Sequence, residues 1–162
     1  MSIVTEERLK GYQDALRDAG LEPNPDYVFD GDYLPETGKL AAQKILFLRE
    51  RPTAIFAFND LMAMGAMRVL AEHSLSVPDE ISVMGFDDIP MCQYTNPTLT
   101  TMRQPLDNMG SFAVDLLLQR IRSDEHYKAK HIRLQPELII RGSTGRSALP
   151  QHDRLVKSVA NA

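Results

Sequence analysis

Two short apolar runs, Thr53–Phe58 and Ile81–Phe86, stand out against the polar background, and each stops abruptly at polar side chains, Asn59-Asp60 and Asp87-Asp88. Runs without strict alternation suit strands covered on both faces, as in parallel sheets. Between them, Ala63, Met67, Leu70 and Ala71 recur at helical spacing. The pattern predicts a βαβ unit with a right-handed crossover. Its two polar clusters then share one rim, the carboxyl ends of neighbouring strands, where open α/β sheets take ligands. The simpler reading makes Asp60 the N-cap of the helix and Asp87-Asp88 the start of a loop. We read Asp60 as capping, and three carboxylates with an amide on one rim still point to ligand binding.

The rest of the chain follows the same logic. Leu9, Tyr12, Leu16 and Ala19 give Thr5–Ala19 one apolar helical face, with Gly20 as its stop. Arg8 lies near that helix's first turn, where a cation opposes the helix dipole; it is either a surface arginine or held there for another purpose. Tyr27-Val28-Phe29 reads as a strand followed by the loop Gly31–Pro35, and a second helix is expected from Thr37, its N-cap, to Glu50. Leu99–Met102 has strand composition, Leu106–Arg122 is amphipathic, and Ser123–Lys130 reads as a polar turn. Ile132–Leu134 and Glu137–Arg141 are strand-like, with Pro136 marking an edge or bulge. Residues 146–162 lack any apolar pattern and read as a mobile tail.

Composition narrows the function. The 162 residues, 43% hydrophobic and 25% charged, suffice for one soluble domain. A net charge of −4 gives no global field for nucleic acid. One cysteine, Cys92, excludes an intrachain disulfide and fits a reducing, cytoplasmic setting. No apolar stretch is long enough to span a membrane, and the first twenty residues lack a signal-peptide core. The four histidines, His73, His126, His131 and His152, do not pair at metal-ligand spacing. Asp87-Asp88 lacks the companion groups of a Mg²⁺ site, so no metal or cofactor is expected. There is no G-x-S-x-G elbow, no phosphate loop and no G-x-G-x-x-G. What remains is a set of polar groups at strand ends, Arg8, Tyr33, Asn59, Asp60 and Asp87, suited to the hydroxyls and ring of a small neutral solute, a sugar or nucleoside. Met64 lies off the core stripe and is a candidate for exposed or interface surface.

Several stretches resemble one family in order. Arg8-Leu9-Lys10-Gly11-Tyr12 with Ala15-Leu16 and Gly20 is similar to the R-x-x-G-[FY]-x-x-A-L-x-x-x-G helix of lactose/galactose-repressor-family regulators. Gly31-Asp32-Tyr33, then Asn59-Asp60 with Ala63 to Ala66, resemble its G-D-[FY] and N-D-x-x-A-x-G-A motifs. Val77–Asp88, Pro97–Pro105 and Glu137–Thr144 resemble three further stretches of it. The resemblance implies an α/β, Rossmann-like lobe of the type I periplasmic-binding-protein fold. It implies ligand contact at Arg8, Asn59 and Asp87, ring stacking at Tyr33, and dimer contacts around Met64 and the loop carrying Ile89, Met91 and Tyr94. It further implies that 1–105 and 132–145 form the C-terminal lobe and that 106–131 belongs to an N-terminal lobe. The lobe's first strand, the N-terminal lobe and the DNA-binding head fall outside this sequence. DNA is therefore expected as a partner only through that N-terminal region, and this chain alone is not expected to bind an operator.

The expected function is effector binding and dimerisation in a bacterial transcriptional repressor. A solute-binding protein of a sugar transport system is the alternative. An α/β enzyme finds no nucleophile–base pair here and is not expected.

Overall fold

In the computed structural model, which describes residues 3–122 and 130–146, the two apolar runs lie side by side in a four-stranded sheet. Strands β1 (Ala54–Phe56), β2 (Ser82–Asp87) and β3 (Thr100–Arg103) run parallel, and β4 (Glu137–Ile139) pairs antiparallel with β3 at the end of the sheet. Ile55 stands opposite Val83, and Gly85 opposite Thr101. Pro136 immediately precedes β4, at an edge where a missing N–H costs nothing.

Four helices accompany the described strands: α1 (Ile3–Asp18), α2 (Pro35–Leu46), α3 (Asp60–Glu72) and α4 (Leu106–Arg122). The core lies between α3 and the sheet, where Leu70, Val83, Cys92 and Leu99 are fully buried. Each such aliphatic side chain contributes about 1.5–3 kcal/mol. Helices α2 and α3 touch backbone to backbone at two reciprocal points. A Cβ on Gly38 would fall on the Met62 carbonyl, and one on Gly65 on the Pro35 carbonyl, so only glycine permits this approach. Gly20, with φ of 73°, supplies the expected left-handed stop after α1.

Four local expectations are corrected. The cap of α3 is Asn59, whose side chain accepts from the Met62 N–H at 2.9 Å, and not Asp60, whose carboxylate turns inward. The second helix begins at Pro35 and ends at Leu46; Thr37 is not its cap, because Pro35 already sets the first-turn φ and the Thr37 hydroxyl donates to Asp32 Oδ1 at 2.8 Å. Tyr27–Phe29 is not a strand. Pro25–Tyr27 forms a 3-10 turn capped by Asn24, after which Val28 is extended but has no ladder neighbour among the described residues. Ile132–Leu134 carries no strand either, since β4 pairs only with β3. The expected turn at 123–130, apart from Lys130, and the tail after Arg146 lie outside the described residues.

The gap beside Val28 and Phe29 is a cavity of about 460 Å³, lined by residues 27–33, by Ala54–Phe58 and by side chains of α1 and α2. Just past either end of β1, the Ala57 N–H donates to Met84 O and the Thr53 carbonyl accepts the Ser82 N–H. The amides of Ala54 and Phe56, alternating with these, therefore face the cavity, where they meet no partner among the described residues.

Candidate functional site

The site forms where the carboxyl ends of the strands meet the start of α1. Thr5 and Arg8 stand one turn apart on α1 and share a face. The Thr5 hydroxyl lies 2.5 Å from the Tyr33 hydroxyl. Arg8 donates to the Phe58 carbonyl at the end of β1, lays its guanidinium over the Phe86 ring at 3.7 Å, and stands 4.0 Å from Asp87. Its side chain is 14% exposed, so this cation is spent at the strand ends rather than on the surface. The choice left open by its place in the helix dipole is settled by these contacts.

Asn59 works on both sides. Its Oδ1 caps α3, and its Nδ2 donates to the Tyr33 carbonyl at 2.8 Å, holding that residue's loop against the strand end. Tyr33 has φ of 68°, a left-handed conformation that the Asn59 bond and the Asp32 turn hold in place. The Asp32 carboxylate accepts from the Leu34 N–H and the Thr37 hydroxyl, and these bonds lower its pKa.

Asp87 accepts from Gln104 Nε2 at 2.6 Å. Burial pushes its carboxyl above the usual range, the Gln104 bond and the Arg8 charge pull it back, and Asp60 adds to the rise. A cavity of about 500 Å³ opens beside this cluster. Its polar lining is Glu7, Arg8 and Gln104, and its apolar lining includes Phe86 and Met109, Phe112 and Leu116 of α4. Asp87 borders it only through Arg8 and Gln104, and Tyr33 lines the other cavity. A carboxylate, a guanidinium and an amide beside apolar walls can grip hydroxyls or ring heteroatoms and cover a flat, weakly polar body.

Of the residues picked out from sequence, Arg8, Asp87, Tyr33 and Asn59 are thus linked around the start of α1. Asp60 is not brought to this rim. It is 1% exposed, with one oxygen on the Ile89 N–H at 2.9 Å and the other on the Thr101 hydroxyl at 2.5 Å. Met91 and Tyr94 are exposed on a short turn, while Met64 and Ile89 are only half-exposed and pack against the core. Sequence reasoning missed Gln104, Phe86 and Thr5. Gln104 lies just past the end of β3, and the rule that singled out the ends of β1 and β2 would have found it had it been applied to the third strand. The same strand end carries Arg103, which with Arg141 grips Asp88 at 2.7 and 2.6 Å.

Residues 3–144 match the periplasmic binding protein-like domain family. The chain is 43% identical over 138 residues to the HTH-type transcriptional repressor PurR of Vibrio campbellii, covering 85% of this chain and 41% of the relative. The PurR of Photobacterium profundum is 39% identical over 137 residues, covering 85% and 41%. Among solved structures, a regulatory protein of the LacI family from Chloroflexus aggregans superimposes with a TM-score of 0.79 at 40% identity, covering 89% of this chain and 52% of that one. Transcription regulator CcpA of Lactococcus lactis gives 0.80 at 32%, covering 89% and 52%. The chain thus spans about two-fifths of the length of the curated relatives it matches. No described helix is long and apolar enough to cross a membrane. Fold and family model agree that the chain belongs to the periplasmic binding protein-like domain family, and the relatives it resembles there are transcriptional regulators.

Proposed function

We propose that this chain is the effector-binding and dimerising part of a bacterial transcriptional repressor, working in the cytoplasm without enzymatic turnover. The observation that carries the reading is the Arg8–Asp87–Gln104 cluster, whose Arg8 and Gln104 line a partly apolar cavity at the strand ends. The effector is a small sugar or a nucleoside-like molecule. Asp87 and Arg8 take its hydroxyls or ring heteroatoms, and Tyr33, anchored by Asn59, stacks on its ring. Helix α4, which has no buried residue and walls the cavity with apolar side chains, belongs to a second lobe that closes over the ligand. Met64, Ile89, Met91 and Tyr94 form the dimer face, and DNA is reached through a separate N-terminal head. Effector binding then biases the relative orientation of the lobes, and the heads follow.

Calorimetry on the longest natural polypeptide carrying this sequence, against a panel of sugars, nucleosides and nucleobases, tests the reading. At least one member should bind, and Asp87→Ala should weaken it roughly 5- to 150-fold, the equivalent of an unpaired buried polar group. Unchanged affinity would remove Asp87 from the site, and a panel with no binder would overturn the ligand class.

A further inference from the structure

The Asp87 carboxylate sits on an unusual piece of backbone. Asp87 and Asp88 have φ of 117° and 59°, and two consecutive non-glycine residues of this kind persist only where the surroundings over-determine them. The Arg103 and Arg141 guanidinium groups hold the Asp88 side chain from one side. On the other side, the next amide, Ile89 N–H, is taken by Asp60. The second Asp60 oxygen is bound by Thr101, whose hydroxyl also receives the Asp88 N–H at 3.4 Å. The Cys92 thiol completes the carboxylate's surroundings. Gly85 leaves the space: a Cβ there would fall on Asp60 Oδ1. A buried carboxylate whose two oxygens answer two different elements fixes where those elements stand.

We propose that Asp60 is a positioning residue, whose grip on the Ile89 amide and the Thr101 hydroxyl holds the left-handed turn at Asp87 and Asp88 and so aims the Asp87 carboxylate at the Arg8 and Gln104 side. The functional weight of this rests on Asp87 serving the effector. The measurements that test it use no effector, so either assignment can fail while the other stands.

In isotope-labelled protein of the full 162-residue sequence, one-bond Cα–Hα couplings together with three-bond HN–Hα couplings report φ and its sign at Asp87 and Asp88. Amide exchange reports the Ile89 bond, and side-chain carboxyl shifts report Asp87 ionisation. Asp60→Ala should abolish the left-handed couplings at both aspartates, speed Ile89 exchange by about tenfold or more, and lower the Asp87 titration midpoint. Asp60→Asn keeps the shape and an acceptor but drops the charge. Its single oxygen can serve only one of the two donors, so couplings and exchange should shift less than in Asp60→Ala while the Asp87 midpoint falls. Val69→Ala, a buried truncation elsewhere on α3, should weaken the fold without touching these readouts. Couplings unchanged in Asp60→Ala, or moved equally by Val69→Ala, would overturn the proposal. Should Asp60→Ala not fold, Thr101→Val decides. Altered Asp88 coupling and faster Ile89 exchange support the role, and wild-type values overturn it.

Discussion

Burial pushes the Asp87 carboxyl up, whereas its neighbour Asp88, though burial pushes it the same way, ends below the usual range because Arg141 and Arg103 hydrogen-bond to it. Their links to stability therefore have opposite signs. For Asp88, paired in the fold, stabilisation is present above its ordinary pKa and is lost as pH falls through the lowered folded value. For Asp87, the folded state favours the protonated form, so its contribution is present at low pH and is lost as pH rises through the raised folded value. Denaturant titrations should show Asp88→Ala destabilised by about 3 kcal/mol at neutral pH, the low end for a broken buried pair because Arg103 is half-exposed. The difference should shrink as pH drops below the ordinary carboxylate range. A mutant gap that does not change with pH would show that the two arginines do not hold a charge. At this scale the sequence was partly legible. Asp87 could be singled out because charged groups at strand ends are conspicuous, whereas the place of Arg8 in α1 left it open and the family resemblance pointed it to the rim. Asp60 could not be assigned to the interior, because a carboxylate after an asparagine looks the same whether it faces a cleft or a buried threonine 41 positions away.

Helices and strands were legible in proportion to how locally they are determined. The unit β1–α3–β2 could be read because its apolar spacing is internal to each segment, and α4 because its stripe spans 17 residues. Val28 and Phe29 could not, since an extended segment becomes a strand only beside a neighbour, and periodicity carries no record of that neighbour. The α2–α3 contact was equally invisible: glycine in a helix reads as a cost until another backbone is known to press on it. Two substitutions separate these cases. Gly65→Ala should destabilise by about 1–3 kcal/mol or more, because its Cβ must push the Pro35 carbonyl away. Gly11→Ala, in α1 with open space where the Cβ would go, should stabilise by about 0.5–1 kcal/mol from helix propensity alone. Thermal unfolding of the pair should therefore move in opposite directions. If both lower the midpoint, the helix α1 environment is tighter than described.

At the scale of the whole molecule, several large apolar side chains stand exposed. Leu106, Val114, Leu117 and Ile121 of α4 are each more than half exposed, Tyr94 is 86% exposed on the turn after β2, and Phe47 is 91% exposed after α2. The Ala54 and Phe56 amides of β1, which face the cavity of about 460 Å³, add an edge with no ladder partner among the described residues. Exposed apolar side chains following one another along a helix, as on α4, draw partners. Sedimentation of the purified chain at micromolar concentration should give a dimer or larger species. A stable, compact monomer would show that these faces are covered within one chain.

Cys92 gives the molecule a clock. The thiol is wholly buried, and burial together with the Asp60 hydrogen bond pushes its pKa up to about 12, so in the closed protein it is neither accessible nor ionised for attack on a reagent. It is also the sole cysteine. Labelling with an aromatic disulfide at mildly alkaline pH should therefore report one event, the parting of the Ile89–Gln93 turn from the sheet. The colour should develop many orders of magnitude more slowly than with a free thiol and in a single phase. Reaction at the free-thiol rate would mean that the turn stands open in solution. Whatever steadies the neighbourhood of Asp60, Asp87 and Asp88 should slow that colour, which makes a spectrophotometer sufficient to screen for molecules that settle into the cleft.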